Sequence, residues 1–323
     1  MKSCALDRRV FALGVSLMCV QVAFAQQDYP DRPIRLIVPY PPGASTTFTS
    51  RLVGERLTQV WGQNVIVDNR PGANTMIGTQ LAVRSRPDGY TLLYIGSAVA
   101  GNHTLYKTPY DATKDIAPIA IVSGFETVLV VPPTLPVNTL QEFIALAKAK
   151  PGALNYATSS SGGATHIAAE LFNTAAGIKT QQIPYKGGGP AVTDLMGGHV
   201  QFMMSAPVNI IGNVKNGRLH GIAVTGESRL SALPNVPTFA EAGLPLSFKN
   251  WQGIGAPAGV PRVIIEKISA EIGRLVALPE TRAKLDAQGY EPFYKDPQQS
   301  AGILKADIAK YAKIIKEAGI KAE

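Results

Sequence analysis

Cysteine is nearly absent: the 323-residue chain has two, Cys4 and Cys19, and both lie in its first 25 residues. That opening has the three parts of a secretory signal: charged Lys2, Arg8 and Arg9, an apolar run over Val10–Val20, and Ala23-Phe24-Ala25 before Gln26. The apolar run is too short to span a bilayer stably. Residues 1–25 are therefore expected to be a cleaved signal peptide, and the remaining 298 residues to contain no cysteine. Disulfides, thiolate metal sites and cysteine nucleophiles are excluded together. Lipid attachment at Cys19 is disfavoured, because Met18 precedes it where a small residue is wanted. No later stretch is apolar over about 18 residues, so no transmembrane helix is expected.

Other chemistry is missing too. The four histidines, His103, His166, His199 and His220, share no ligand spacing, and neither H-E-x-x-H nor G-x-S-x-G occurs. No run of five basic residues and no aromatic-basic groove is legible, which argues against nucleic acid as a partner of an exported protein. No metal and no cofactor are expected. Lys and Arg exceed Asp and Glu by 8, of which the opening segment supplies 2. The moderate positive excess favours an anionic partner without naming it.

What is present is a foldable core: 46% hydrophobic residues against 17% charged. A chain this long exceeds one ordinary domain, so two are expected. Apolar, β-rich runs recur at Ile34–Tyr40, Asn64–Asp68, Tyr90–Gly96, Pro118–Val122, Thr127–Val131, Leu154–Thr158, Thr180–Tyr185, Val200–Ser205 and Leu219–Thr225. Helical spacing lies between them. Phe48, Leu52, Val53, Leu57 and Val60 share one face, and Thr139-Leu140-Gln141-Glu142 is a capping box that opens a helix stopped by Pro151-Gly152. Further helices are predicted at Thr165–Ala176, Pro190–Met196, Pro261–Leu278 and Pro297–Ala318. Alternating strands and helices imply an α/β class with parallel sheets.

From about Phe239 the chain has long helices and few strands, so it is expected to pack back on the first domain. The division is then 1–25 signal, 26–125 plus 235–323 as a discontinuous domain, and 126–234 as the second. Two crossovers between two lobes describe a hinge.

Two loops stand out. Pro39-Tyr40-Pro41-Pro42-Gly43-Ala44-Ser45-Thr46-Thr47 joins a strand to a helix, and Ser159-Ser160-Ser161-Gly162-Gly163-Ala164-Thr165-His166 does the same in the second domain. Small residues at a helix start leave backbone N–H groups free for an anion, although an ordinary capped turn would look similar. In open α/β sheets such loops gather at the carboxyl ends of strands, where ligands bind. Pro184-Tyr185-Lys186-Gly187-Gly188-Gly189-Pro190 lacks the order of a phosphate loop. Gly253-Ile254-Gly255-Ala256-Pro257-Ala258-Gly259 has the wrong spacing for a dinucleotide loop and reads as a crossover. A secreted hydrolase using Ser160 or Ser161 with His166 is the enzymatic alternative, weakened by the lack of an orienting acid.

The ordered set Tyr29-Pro30, Val38-Pro39-Tyr40-Pro41-Pro42-Gly43, Asn69-Arg70-Pro71-Gly72-Ala73, Pro87-Asp88-Gly89-Tyr90, Pro184-Tyr185-Lys186-Gly187 and Pro234-Asn235-Val236-Pro237-Thr238 resembles the Bug family. These are the extracytoplasmic solute receptors of tripartite tricarboxylate transporters. The resemblance implies a type II periplasmic-binding-protein fold, two doubly wound lobes around a cleft, and no enzymatic activity. It implies a periplasmic, monomeric receptor for a small organic anion, with large and small membrane subunits as partners. A periplasmic sensor would share the same cleft. By position, the implied ligand-binding residues are Tyr40, Gly43, Ala44, Ser45 and Thr47 in the first loop, and Ser97 and Ala98 after the third strand. Facing them are Ser160, Ser161, Gly162 and Thr165, then Tyr185, Lys186 and Ser205. Many relatives carry an acid where Thr47 stands, and another near Ser205-Ala206-Pro207, either of which could meet an ammonium group. Their loss here favours an organic mono- or dicarboxylate, an aromatic one included, over an amino acid.

Overall fold

The computed structural model describes residues 29–42, 45–317 and 319–320. The segment read as a signal peptide, Gly43 and Ala44 lie outside the described residues, as does the side chain of Ser45. Eleven strands form two sheets among the described residues. The first contains β1 (Ile34–Val38), β2 (Val65–Asn69), β3 (Thr91–Gly96), β4 (Ile116–Glu126), β10 (Lys249–Pro257) and β11 (Glu291–Lys295), in the order β11-β4-β10-β3-β1-β2. The second contains β5 (Val128–Val131), β6 (Asn155–Thr158), β7 (Gln181–Pro184), β8 (Phe202–Ser205) and β9 (His220–Val224), in the order β7-β6-β8-β5-β9.

Ten α-helices join and cover them: α1 (Ser45–Trp61), α2 (Met76–Val83), α3 (Ser97–Leu105), α4 (Leu140–Ala149), α5 (Ala164–Ala176), α6 (Gly188–Met196), α7 (Ile211–Lys215), α8 (Arg262–Ala277), α9 (Pro279–Ala287) and α10 (Pro297–Glu317). The capping box at Thr139 and Glu142 is formed as its sequence predicts. The α/β class holds, with three corrections. Both sheets are mixed: β1 runs parallel to β2 and β3, and β6 to β7 and β8, while β10 is antiparallel to β3 and β4, and β5 to β8 and β9. The cause is the connectivity. β5 and β10 each enter their sheet from the other one, so they start at the shared end and run away from it, against the strands that finish there.

The second correction concerns Gly253–Gly259. Most of it belongs to β10, a central strand, not a crossover loop. Its glycines are there because neighbouring backbone comes close: a Cβ at Gly253 would press on the Ala120 carbonyl across the ladder. The third is that the C-terminal part adds two strands, β10 and β11, and a separate helix, α9, beyond the predicted pair.

Each sheet is buried by helices on both faces. Ile34, Leu36 and Val38 of β1 pack with Leu52, Val53 and Leu57 of α1 and with Ile265, Ile268 and Ile272 of α8. On the other face Leu93 and Ile95 join Val99 of α3 and Leu304 and Tyr311 of α10. Burying this many aliphatic side chains, each contributing about 1.5–3 kcal/mol, fixes the strand ends whose turns build the site.

Candidate functional site

Four helices, α1, α3, α5 and α6, start where the turns after β1, β3, β6 and β7 reach the cleft. Three of them carry glycine as N-cap: Gly96 before α3, Gly163 before α5 and Gly187 before α6. None of these receives a side-chain cap hydrogen bond. First-turn N–H groups are thus left for another acceptor, and the helix dipoles favour a negative one. Gly187, with φ of 113°, takes a backbone shape that a side chain rarely adopts.

These starts converge on an inner cavity of about 70 Å³. From the first sheet come Tyr40, Thr46, Tyr94, Ser97, Phe125 and Trp251, and from the second Ser159, Ser160, Thr165, Gly188, Ala206 and Asn209. A wider groove of about 780 Å³ adjoins it, lined by Tyr40, the Pro71–Met76 turn, Ser160, Ser161, Tyr185 and Lys186. Lys186 is the one charged side chain on either wall among the described residues, and no carboxylate lines them.

Burial sets the protonation of the walls. Desolvation holds the hydroxyls of Tyr40 and Tyr94 well above the usual phenol range, so both stay protonated. Their rings meet edge to face at 5.8 Å, and the Tyr94 hydroxyl donates to Gln252 Oε1 at 2.9 Å. Asn69 Nδ2 donates to the Tyr40 carbonyl at 2.9 Å, anchoring the first loop to the end of β2. On the other side Gly187 N–H donates to Ser159 O at 2.9 Å, tying two loops together. The Ser159 N–H donates to Thr165 Oγ1 at 3.2 Å. Tyr185 turns its hydroxyl to Asp194 Oδ2 at 2.7 Å, and burial with that carboxylate pushes it up to about 12.

Of the residues singled out from sequence, Tyr40, Ser97, Ala98, Ser160 and Thr165 come together on the inner cavity, and Ser161, Tyr185 and Lys186 on the outer groove. Three do not reach either wall. Thr47 is buried off the cavity, and its neighbour Thr46 lines it instead. Ser205 is fully buried and spends its hydroxyl on Ala206 O at 3.1 Å. Gly162 faces α3, where a Cβ would strike Leu105. Gly43 and Ala44 lie outside the described residues, and of the Ser45 side chain nothing is described. Thr46, Tyr94, Phe125, Asn209 and Trp251 were missed. Thr46 stands beside Thr47 in the same predicted loop, whereas Phe125 lies past the end of the predicted run Pro118–Val122 and Trp251 lies in β10, which carries no local strand signal. The Thr46 hydroxyl is buried and has no partner, so it is available to a bound molecule.

The hydrolase alternative loses its base. His166 is buried, its Nδ1 accepts the Gly162 N–H at 2.8 Å, and burial lowers its pKa to about 4. Neither Ser160 nor Ser161 bonds to it.

The architecture is that of a bilobal solute-binding protein. A family model of tripartite tricarboxylate transporter family receptors, TctC, matches residues 49–320, and the chain belongs to that family. Protein BugT of Bordetella pertussis (strain Tohama I) is 33% identical over 322 residues, 98% of this chain and 99% of that protein. Among solved structures, R. palustris Rpa4515 with adipate is 31% identical with a TM-score of 0.88, covering 91% of this chain and 99% of that one. MatC (Rpa3494) from Rhodopseudomonas palustris with bound malate is 25% identical with a TM-score of 0.82, covering 89% and 100%. The chain is thus a solute receptor by family and not an enzyme, as the resemblance implied.

Proposed function

We propose that this chain captures a small organic mono- or dicarboxylate in the periplasm and delivers it to the large and small membrane subunits of a tripartite transporter. The observation that carries the reading is the convergence of three uncapped, glycine-started helices from both sheets on one cavity with no acid on its wall. Each helix start offers about half a positive charge and several N–H donors, which suits a carboxylate and offers nothing to an ammonium group. The adipate and malate bound by the two R. palustris proteins support the same chemistry. The walls of Tyr40, Tyr94 and Phe125 suit a flat or unsaturated body as well as an aliphatic one.

The sheets' membership supports the two-lobe division, 26–125 plus 235–323 and 126–234. β1–β4, β10 and β11 share one sheet, and β5–β9 the other. Ligand held by loops of both would favour a closed arrangement of the lobes.

Calorimetry with adipate, malate, succinate, benzoate and L-glutamate tests the reading. At least one acid lacking an amino group should bind in the micromolar range or tighter, and L-glutamate should be at least about tenfold weaker. Binding of L-glutamate alone, or of no acid, would overturn it.

A further inference from the structure

After β2 the chain turns through Pro71–Thr75, and three successive non-glycine residues adopt left-handed backbone: Ala73 with φ of 43°, Asn74 with 51° and Thr75 with 74°. Asparagine tolerates this region, but alanine and a β-branched threonine do not do so without strain. Such a turn persists only when its surroundings fix it. Here the surrounding is Asn102, fully buried in α3. Its Nδ2 donates to the Asn74 carbonyl at 2.5 Å and to Thr75 Oγ1 at 3.0 Å, and its Oδ1 accepts from Asn74 Nδ2 at 2.7 Å. One hydrogen of the Asn74 amide is used in this way. The other is donated across the cleft to the carbonyl oxygen of Ser161, in the loop between β6 and α5.

The lobes are in close contact beside this bond. A Cβ at Gly101 of α3 would overlap the Gly162 carbonyl oxygen, and a Cβ at Gly162 would overlap Leu105. Backbone meets backbone there, which only glycine on the α3 side allows. Ser161 also follows Ser160, which lines the inner cavity.

We infer that Asn74 is a positioning residue, a clasp that holds the Ser161 loop over the occupied cavity. This inference rests on the two-lobe receptor reading. Asn102 and the strained turn hold the amide ready in the first lobe, so little freedom is lost when it meets Ser161. The bond exists only when the lobes have closed, and it adds to the closed state alone. Ligand enters the open form and leaves through it, so the clasp slows release without changing capture.

The test is stopped-flow binding with whichever acid of the panel binds the wild type most tightly. It is run on the wild type, Asn74→Gly, Asn74→Asp and Gly101→Ala, with small-angle scattering on each. Glycine accepts the left-handed backbone without strain, so Asn74→Gly keeps the turn and removes the clasp. Its dissociation rate should rise about three- to tenfold with the association rate unchanged, and its melting temperature should fall because the buried Asn102 Oδ1 loses its donor. Asn74→Asp, which faces two acceptor oxygens with a third, should release ligand faster still. Gly101→Ala should keep the larger, ligand-free radius of gyration at saturating ligand.

A dissociation rate in Asn74→Gly within twofold of wild type, while the wild type contracts on binding, would overturn the clasp and leave the receptor reading intact. So would a change in both rates together, which is the mark of a merely structural turn. A wild type that binds none of the acids, or binds without contracting, would remove the two-lobe reading and the clasp with it.

Discussion

Thr127 and Thr225 are hydrogen-bonded to each other at the two places where the chain passes between its sheets. The Thr127 N–H donates to Thr225 Oγ1 at 3.0 Å, and the Thr225 N–H donates to the Thr127 carbonyl at 2.9 Å. The Thr225 hydroxyl then donates to Phe248 O at 2.6 Å, immediately before β10. One fully buried side chain thus joins the outward crossover, β4 to β5, to the returning one that leads into β10.

Replacing that hydroxyl should be costly. Thr225→Val fits the same space but leaves the Thr127 N–H and the Phe248 carbonyl buried and short of a partner, a loss of about 1–3 kcal/mol. Thr225→Ser keeps the hydroxyl and should lose less than half as much. Urea denaturation of the three proteins is the measurement. Equal stability of the valine and wild-type proteins would show that the crossovers are not coupled through this side chain.

Thr46 and Thr47 should separate ligand binding from stability. The unpartnered Thr46 hydroxyl faces the cavity, so Thr46→Val should weaken the tightest-binding acid about three- to tenfold. Without ligand the same change removes an unpaired buried hydroxyl, and stability should stay level or rise by up to about 1 kcal/mol. Thr47→Val should leave affinity unaltered. Calorimetry and denaturation of both variants check this, and a larger affinity loss at residue 47 than at 46 would reverse the assignment.

His166 gives the loop a pH dependence of definite sign. Burial holds its folded pKa at about 4, below the ordinary value near 6.5, so the unfolded chain takes up a proton first. The stability associated with the neutral ring is complete above about pH 6.5 and is lost as pH falls toward 4, by roughly 3 kcal/mol at pH 4. His166→Asn can accept the Gly162 N–H without titrating. Between pH 6.5 and 4 the wild type should therefore lose more stability than the variant, by denaturation at several pH values. Parallel pH profiles would contradict the buried, neutral histidine.

Of the two tryptophans, Trp251 lines the cavity and its indole N–H donates to Asp307 Oδ2 of α10 at 2.7 Å, while Trp61 packs on Tyr29 at the far end of α1. Ligand binding should change the emission of Trp251. The change should survive Trp61→Phe and vanish in Trp251→Phe, in a fluorescence titration with the panel acids.

Much of the fold was legible because buried strands and amphipathic helices leave their period in the sequence. Thr139 and Glu142 specify their helix start by a local bond, and the runs from Ile34 and Leu154 announce strands buried on both faces. β10 was not legible. Its glycines and Asn250-Trp251-Gln252 mimic a loop locally, and it is a strand only because β3 and β4 pair with it on both sides. β11 and α9 were missed for the same reason, since short elements owe their shape to what they pack on.

The site divides along the same line. The sequence by itself determined that the cleft would be built from small residues at helix starts, with no thiol and with Thr47 in place of an acid. Composition and local order are enough for that, because unpaired N–H groups follow from a glycine before a helix. Only the tertiary structure decided that Thr46 rather than Thr47 faces the cavity. It also brought Phe125 and Trp251 from distant strands to the wall, and aimed Asn74 across the cleft at Ser161. Which side of a helix turns inward, and which strand ends meet, depend on packing between segments far apart in the chain. No local pattern carries that information.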